Sequence, residues 1–302
     1  MKKVVARISG GLGNQMFGHA VAVALAKRTG RELFFDLSDF VIFYGGRKYQ
    51  LMHFVGPSRV RRWNVVSCAA HLVAWIVNRR VSASAYARLA AVLGIFNVKG
   101  KGQFVFDPAL VDPAIGAGKS ALYVDDVYAV IPYLPDEATL REEFRYVNPP
   151  NERNRRLQEQ FEKTPSVSIH IRRSDYLGVA NGTIVLDFEY YRRAIDEILK
   201  VEKDPRWVIF SDDIAWCRHK FEFLKAVTFV DGNESEPWED LRLMTACKHH
   251  IIANSTFSWW GAYLGRDPDG LTVAPRTLFP NLETPPTFLK SGWVTVPSFS
   301  KA

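Results

Sequence analysis

The sequence predicts an α/β protein whose C-terminal half is a doubly wound parallel sheet. Two observations carry that prediction. Beyond residue 150, short apolar runs alternate with longer segments of helical spacing, and strands alternating with helices of that length build parallel sheets. The N-terminus opens on the same plan, with an apolar run, a glycine loop, a helix and a second strand. At about 150 residues per domain, 302 residues make two domains or one large one, with enough chain to bury a core without staples.

In the first half, a strand over 4–8 runs into Gly10-Gly11-Leu12-Gly13-Asn14-Gln15. A helix follows through Ala20, Val21, Ala24 and Leu25, and a strand over 32–35 ends at Asp36. Val65, Val66, Ala69, Leu72, Val73, Ile76 and Val77 fall at helical spacing, and a further helix starts at Ser82 and stops at Gly94. The stretch Tyr146-Val147-Asn148-Pro149-Pro150-Asn151 breaks any element and is the expected linker, dividing 1–150 from 151–302. The second half places strands over 166–172, 206–211, 227–231, 250–253 and 271–274. Helices fall between them over 188–200 behind Asp187, 214–224, 237–248 behind Ser235, and 256–264. Ligands of such sheets bind outside the carboxyl ends of the strands. Attention therefore goes to Arg172-Arg173-Ser174-Asp175, Ser211-Asp212-Asp213, Asp231-Gly232, Asn254-Ser255-Thr256 and Pro275-Arg276.

Adjacent arginines followed by Asp175 at a strand mouth suit a diphosphate, because guanidinium forks bind phosphate oxygens bidentately and stay charged. His170 shares a strand face with Arg172. An Arg–Asp salt bridge closing the strand is the plainer reading of the same residues. The loop Gly10–Gly13 offers backbone N–H groups and a helix start to an anion, and Asn14 and Gln15 add two carboxamides. As a dinucleotide fingerprint it is incomplete, since Met16 stands where a third glycine belongs, although Asp36 at the next strand end fits that alternative. Ser255, Thr256 and Ser258 suit both a helix cap and a phosphate cradle. Metal ligation looks poor: the one DxD, Asp267-Pro268-Asp269, reads as a surface turn, and His249 and His250 face opposite ways in a strand.

Net charge is +7, yet residues 40–106 contain no acidic side chain and ten basic ones, which leaves −3 for the rest. The basicity belongs to one segment, which implies an anionic surface rather than a nucleic-acid-coating protein. The segment also lacks regularly interleaved aromatics, which argues against nucleic acid. Cys68, Cys217 and Cys247 are odd in number and form no CxxC, which excludes a disulfide scaffold and fits a reducing compartment. The apolar stretch at the N-terminus is too short for a signal peptide, so a cytoplasmic protein is expected. The apolar run between Trp63 and Val77 is too short to span a bilayer, and it is flanked by Arg59, Arg61, Arg62, Arg79 and Arg80. Weak peripheral membrane docking through 40–106 is therefore expected, although a core helix accounts for the run as well.

The motifs also resemble a known family, the bacterial α-1,2-fucosyltransferases of glycosyltransferase family eleven. The matching pieces are Gly10-Gly-Leu-Gly-Asn-Gln-Met-Phe17, His170-Ile-Arg-Arg-Ser-Asp-Tyr176, Phe210-Ser-Asp-Asp213, and the run from Glu239-Asp-Leu through Cys247-Lys248 to Ile251-Ile-Ala-Asn-Ser-Thr-Phe-Ser-Trp-Trp-Gly-Ala262. Residues 40–160 carry no such motif. Ser174 stands where the family has Gly, and Gly18-His19 where it has Gln-Tyr, the latter bearing on the acceptor pocket. The resemblance implies a GT-B-like pair of Rossmann-like domains, an acceptor-side domain followed by a donor-binding one, and inverting transfer of L-fucose from GDP-β-L-fucose without a required metal or other cofactor. It implies a galactose-terminated glycan acceptor, lipid-linked where bacterial surface glycans are built. By similarity Arg172 acts on the β-phosphate, Asp175 orients the arginines, His170 and Arg173 lie near the nucleotide, and Asp212 or Asp213 approaches guanine. Asn14 reaches the fucose or diphosphate, with Gly11, Gly13, Gln15, Asn254, Ser255, Thr256 and Ser258 completing the donor site. The general base stays open among Asp36, His19 and Asp126. A dinucleotide-dependent oxidoreductase and a non-enzymatic glycan-binding protein are the competing classes.

Overall fold

Parallel strands alternate with helices through both halves of the chain. The computed structural model describes residues 1–42, 47–63, 94–98, 101–125, 127–178 and 184–299, which divide into the units Met1–Val147 and Asn148–Ala302. The helices expected over 65–77 and 82–94 lie outside the described residues.

The first unit comprises β1 (Lys3–Arg7), α1 (Leu12–Thr29), β2 (Glu32–Asp36), α2 (Ser38–Ile42), α3 (Val55–Ser58), β3 (Arg61–Arg62), β4 (Ile95–Val98), β5 (Ala121–Val124) and α4 (Glu137–Glu143). Its sheet has the order β3-β2-β1-β5-β4 with every pairing parallel. Helix α1 is buried on nearly every side from Leu12 to Ala26, as expected of a helix that is apolar all round. It ends at Gly30, whose left-handed backbone (φ 61°) sends its N–H back to the Ala26 carbonyl, with Lys27 and Arg28 in the last turn beside the exposed carbonyls.

Arg61 and Arg62 form an edge strand against Phe34 and Phe35. Arg61 pairs with Glu32 and lies over the Phe34 ring. Trp63 donates its N–H to the Phe35 carbonyl at 2.7 Å and packs half-buried against the core, 5.9 Å from the Tyr123 ring. Among the described residues no helix is long and apolar enough to cross a membrane.

The second unit comprises α5 (Glu152–Glu162), β6 (Ser166–Ile171), α6 (Ser174–Leu177), α7 (Phe188–Val201), β7 (Arg206–Ser211), α8 (Ile214–Lys220), β8 (Val227–Val230), α9 (Pro237–Ala246), β9 (His249–Ile251), α10 (Thr256–Tyr263), β10 (Thr272–Pro275), the hairpin β11 (Thr277–Phe279) and β12 (Leu282–Glu283), and β13 (Val294–Val296). Its six strands are parallel in the order β13-β10-β9-β6-β7-β8. Alternation along the strands sorts the core into two layers. Val167, Ile169, Ile171, Trp207 and Ile209 meet α7 and α8 on one face, while Val208, Phe210 and Val230 meet α5 and α9 on the other. Burial pushes the Cys217 thiol up to about 11 and the Cys247 thiol up to about 12, so neither is a nucleophile near neutrality. Several boundaries shift by a few residues: β6 stops before Arg172, the helix after Asp213 stops at Lys220, and the cap position before Pro237 belongs to Glu236 rather than Ser235.

Behind β8 a polar knot joins α5 to α9. Asn154 donates to Asn233 at 3.0 Å and to Glu239 at 3.3 Å, and Asn233 donates to Asp240 at 2.9 Å. Arg242 ties the linker in by donating to the Asn148 carbonyl at 2.9 Å. Burial pushes the Asp240 carboxyl up to about 7, outweighing the Asn233 hydrogen bond, with Glu234 and Glu239 adding repulsion. Because the folded carboxyl resists ionising, this position costs stability progressively as pH rises from about 4 through 7. Asp240→Asn keeps an oxygen for Asn233. It should raise Tm by about 2–4 °C for each kcal/mol relieved at pH 8 and leave it nearly unchanged at pH 4, as scanning calorimetry at the two pH values will read.

Candidate active site

Strand β6 is the pivot of the second unit. The chain adds β7 and β8 on one side of it and then β9 and β10 on the other, so the order reverses between β6 and β9. That reversal opens a crevice at the carboxyl ends of these strands. Since β6 is buried along its whole length, its charges emerge only beyond Ile171.

Arg172 and Arg173 stand there, with side chains 24% and 25% exposed, enough for a ligand to reach them. The in-register pairing Ile171↔Ser211 sets them beside Asp212 and Asp213. Arg172 Nε lies 3.6 Å from Asp212 Oδ2, and its guanidinium lies 5.7 Å from the Tyr176 ring centroid. Arg173 donates Nε–H to Asp213 Oδ2 at 3.0 Å and stacks 4.6 Å from the Trp216 ring centroid. Asp212 Oδ1 accepts the Arg173 backbone N–H at 2.9 Å, and the Ser174 hydroxyl donates to the Asp212 carbonyl at 2.7 Å. Asp213 also caps α8 by accepting from Trp216 N–H at 3.1 Å. These two carboxylates therefore hold the arginines. Asp175 lies in α6, and its side chain is outside the described ones. Trp216 was missed in the sequence; its only signal is a place on the first turn after an aspartate cap.

Across the crevice, Asn254 donates to the carbonyls of Ile184 at 2.9 Å and Leu278 at 2.8 Å. Its own carbonyl accepts the Tyr176 hydroxyl at 3.1 Å. Ser255 caps α10 through the Phe257 N–H at 3.3 Å, and the buried Ser258 hydroxyl accepts from Ala253 N–H at 3.2 Å. All three shape the loop, so the capping reading holds for Ser255 and Ser258. Thr256, at the start of α10, is half-buried. His170 is buried on the face below, 5.5 Å from the Phe257 ring, rather than at the mouth. Asp231 is consumed by Arg153, which donates to its carbonyl at 2.6 Å and its Oδ1 at 2.7 Å, and by Arg218 at 3.2 Å. Arg276, at the end of β10, is exposed. Among the described residues no three His, Cys, Asp or Glu side chains gather as a metal site. His249 accepts the Leu271 N–H and His250 meets the Ser168 hydroxyl, so each is spent in the fold.

In the first unit the order reverses between β1 and β5, and the glycine loop follows β1. Gly10 has φ 71°, a left-handed backbone that favours glycine, and a Cβ there would lie 3.0 Å from Asn14 Nδ2, which would have to shift slightly. Gly11 takes the N-cap position of α1, whose first turn, containing the buried Gly13, carries no acidic residue. Gln15 is a clamp rather than a ligand. It is buried, donates to the carbonyls of Gly10 and Lys48 at 2.9 Å each, and accepts the Gln50 N–H at 2.9 Å.

Two base candidates also prove internal. Asp36 is 0% exposed, accepting Ser38 N–H at 2.9 Å and the Tyr123 hydroxyl at 2.7 Å. His19 is 0% exposed with Nε2 2.7 Å from Glu143, a contact that holds the Glu143 carboxyl below its ordinary range. Gly18-His19 thus lies buried inside α1. Asp126 lies outside the described residues.

The sequence profile of glycosyl transferase family 11 matches residues 134–296, and an α-1,2-colitosyltransferase of Escherichia coli is 30% identical over 92% of this chain and 93% of its own. The chain belongs to glycosyl transferase family 11. The O-antigen biosynthesis glycosyltransferase WbnK of Escherichia coli is 29% identical over 90% of this chain and 93% of its own. Human galactoside α-(1,2)-fucosyltransferase 1 is 38% identical over a shorter stretch, 32% of this chain and 28% of its own. Among solved structures, the NodZ α-1,6-fucosyltransferase soaked with GDP-fucose superposes with a TM-score of 0.52 at 15% identity, covering 90% of this chain and 94% of its own. The fold is α/β and GT-B-like. Gln15 holds the glycine loop through three part-buried hydrogen bonds, and Gln15→Ala would remove that partner from two carbonyls and an N–H. Urea unfolding should report a loss of about 1–3 kcal/mol or more.

Proposed function

We propose that this family 11 enzyme is an inverting galactoside α-1,2-fucosyltransferase that uses GDP-β-L-fucose, working in bacterial surface glycan synthesis. The observation that carries the reading is the pair Arg172 and Arg173 at the switch point of the second unit, held by Asp212 and Asp213. A departing GDP needs fixed positive charge at its β-phosphate, and a preorganised guanidinium supplies it without reorganisation. Arg172 takes that role and Arg173, Thr256 and the first N–H groups of α10 complete the diphosphate site. Asp212 and Asp213 keep both arginines extended. Such a site needs no metal. The second unit binds the donor, and the first unit, with Asn14 beside Gly10, Gly11 and Gly13, takes the galactose-terminated acceptor.

Transfer passes through an oxocarbenium-like state, so stabilising the leaving group matters more than a strong base. Arg172→Ala should cost on the order of 3 kcal/mol, a loss of roughly 100-fold or more in turnover, while Tm changes little. Near-normal turnover of GDP-fucose by that variant would sink the assignment. A thermal-shift series with GDP, UDP, CDP and NAD separates this reading from a dinucleotide oxidoreductase, since only GDP should stabilise the wild type. Colitosyl transfer is the second reading, favoured by the colitosyltransferase relative matched over 92% of this chain. Turnover of the two sugar nucleotides side by side distinguishes them.

The enzyme acts in the cytoplasm, where ten basic and no acidic side chains in 40–106 suit weak, salt-sensitive docking on an anionic membrane that carries lipid-linked glycans. Anionic liposomes should sediment the protein at low salt and release it at high salt; protein that stays in the supernatant at both overturns the docking.

A further inference from the structure

Two arginines follow β6, and the contacts around each one differ. Arg172 has its Nε 3.6 Å from Asp212 Oδ2 and its guanidinium 5.7 Å from the Tyr176 ring centroid. Arg173 makes both kinds of contact at closer range. Its Nε donates to Asp213 Oδ2 at 3.0 Å, and its guanidinium carbon lies 4.6 Å from the Trp216 ring centroid. Those contacts use the Nε edge and one face of the guanidinium. Nη1 and Nη2 of Arg173 make no hydrogen bond among the described residues, and the side chain is 25% exposed. A free pair of terminal nitrogens is a fork that matches two oxygens of one phosphate.

Trp216 is itself anchored. It stands in the first turn of α8, where Asp213 Oδ1 accepts its backbone N–H at 3.1 Å. One carboxylate thus fixes both the residue that carries the ring and the arginine that lies on it. The half-buried indole packs edge-on against Phe188 at 6.1 Å and against the fully buried Phe221 at 6.4 Å, on the core layer under α7 and α8. A salt bridge at Nε alone leaves the guanidinium plane free to turn. A ring beneath that plane removes the freedom, and the attraction between cation and ring face holds it there.

We propose that Trp216 is a positioning residue that sets the plane of the Arg173 guanidinium, so that its terminal fork is ordered before a phosphate of the sugar nucleotide arrives. The inference rests on the transferase reading above. Ordering a long side chain at the moment of binding weakens affinity, and a side chain ordered beforehand avoids that loss. Trp216 acts only through Arg173 and touches no reacting atom.

Titration calorimetry with GDP on the full chain tests this through a double-mutant cycle. Trp216→Leu removes the ring and should raise the Kd for GDP by roughly 5- to 20-fold. Trp216→Phe keeps a ring face for the guanidinium and should stay within about 3-fold of wild type. Arg173→Met should weaken GDP at least as much as Trp216→Leu. Adding Trp216→Leu to Arg173→Met should then change the Kd by less than about 2-fold, because a residue that works through Arg173 has nothing left to position. If Trp216→Leu does not fold, Trp216→Met takes its place in the cycle with the same expectations. Losses that multiply in the double variant, or a Phe variant as weak as the Leu variant, make Trp216 ordinary core packing and overturn the proposal. A wild type that binds no GDP overturns the transferase reading and this proposal together; a wild type that binds GDP as well as Trp216→Leu does overturns the proposal alone.

Discussion

A strand buried along its whole length has nowhere to carry charge except past its end, and β6 is such a strand. Its side chains are shared between two helical layers, so His170 and Ser168 are held inside while Arg172 and Arg173 emerge at the mouth. The parallel register with β7 then sets Asp212 and Asp213 beside them. Two guanidinium groups side by side repel, and two carboxylates on the next strand make their alignment stable. The ring of Trp216 under Arg173 and that of Tyr176 near Arg172 restrict them further. The candidate diphosphate site follows from where β6 stops and which strand lies next to it.

Much of what surrounds this site is scaffolding built from residues that look like ligands. Asn254, Ser255 and Ser258 spend their hydrogen bonds on holding the turn between β9 and α10. Gln15 spends three on joining the glycine loop to residues 48–50. Asp231, which ends β8, is taken up by two arginines. A buried carboxamide or carboxylate left unsatisfied is costly, so a polar side chain at a crowded strand end tends to be claimed by the nearest backbone group first. Arg172 and Arg173 combine a fixed contact with partial exposure, 24% and 25% of their side chains.

The alternation of elements in the second half was legible because each strand is apolar enough to be buried and most intervening helices carry charged residues, α10 (Thr256–Tyr263) excepted. The strand ends were legible for the same reason: polarity returns abruptly at Arg172, Asp212, Asp231 and Asn254. Roles at those ends were not. Neighbours along a parallel sheet are set by register, which brings Asp212 and Asp213 to Arg173 from 39 or 40 positions away. The strand at Arg61-Arg62 was not legible for a related reason. Two arginines carry no strand signal, and only their pairing with Phe34 and Phe35 makes them an edge strand and packs Trp63 half-buried against the core.

The sequence by itself determined the fold class, the linker between two α/β halves and family membership, because periodicity, turn residues and motif order are local properties of the chain. It also determined that charge gathers at the strand mouths, since burial on both faces excludes charge elsewhere. The tertiary structure alone decided which of those charges hold one another and which remain available. That distinction depends on strand order: β6 lies between β7 and β9, and β1 between β2 and β5. The reversal at each pivot brings together groups far apart in the chain, such as Arg7 and Asp125, separated by 118 positions and joined at 2.6 Å.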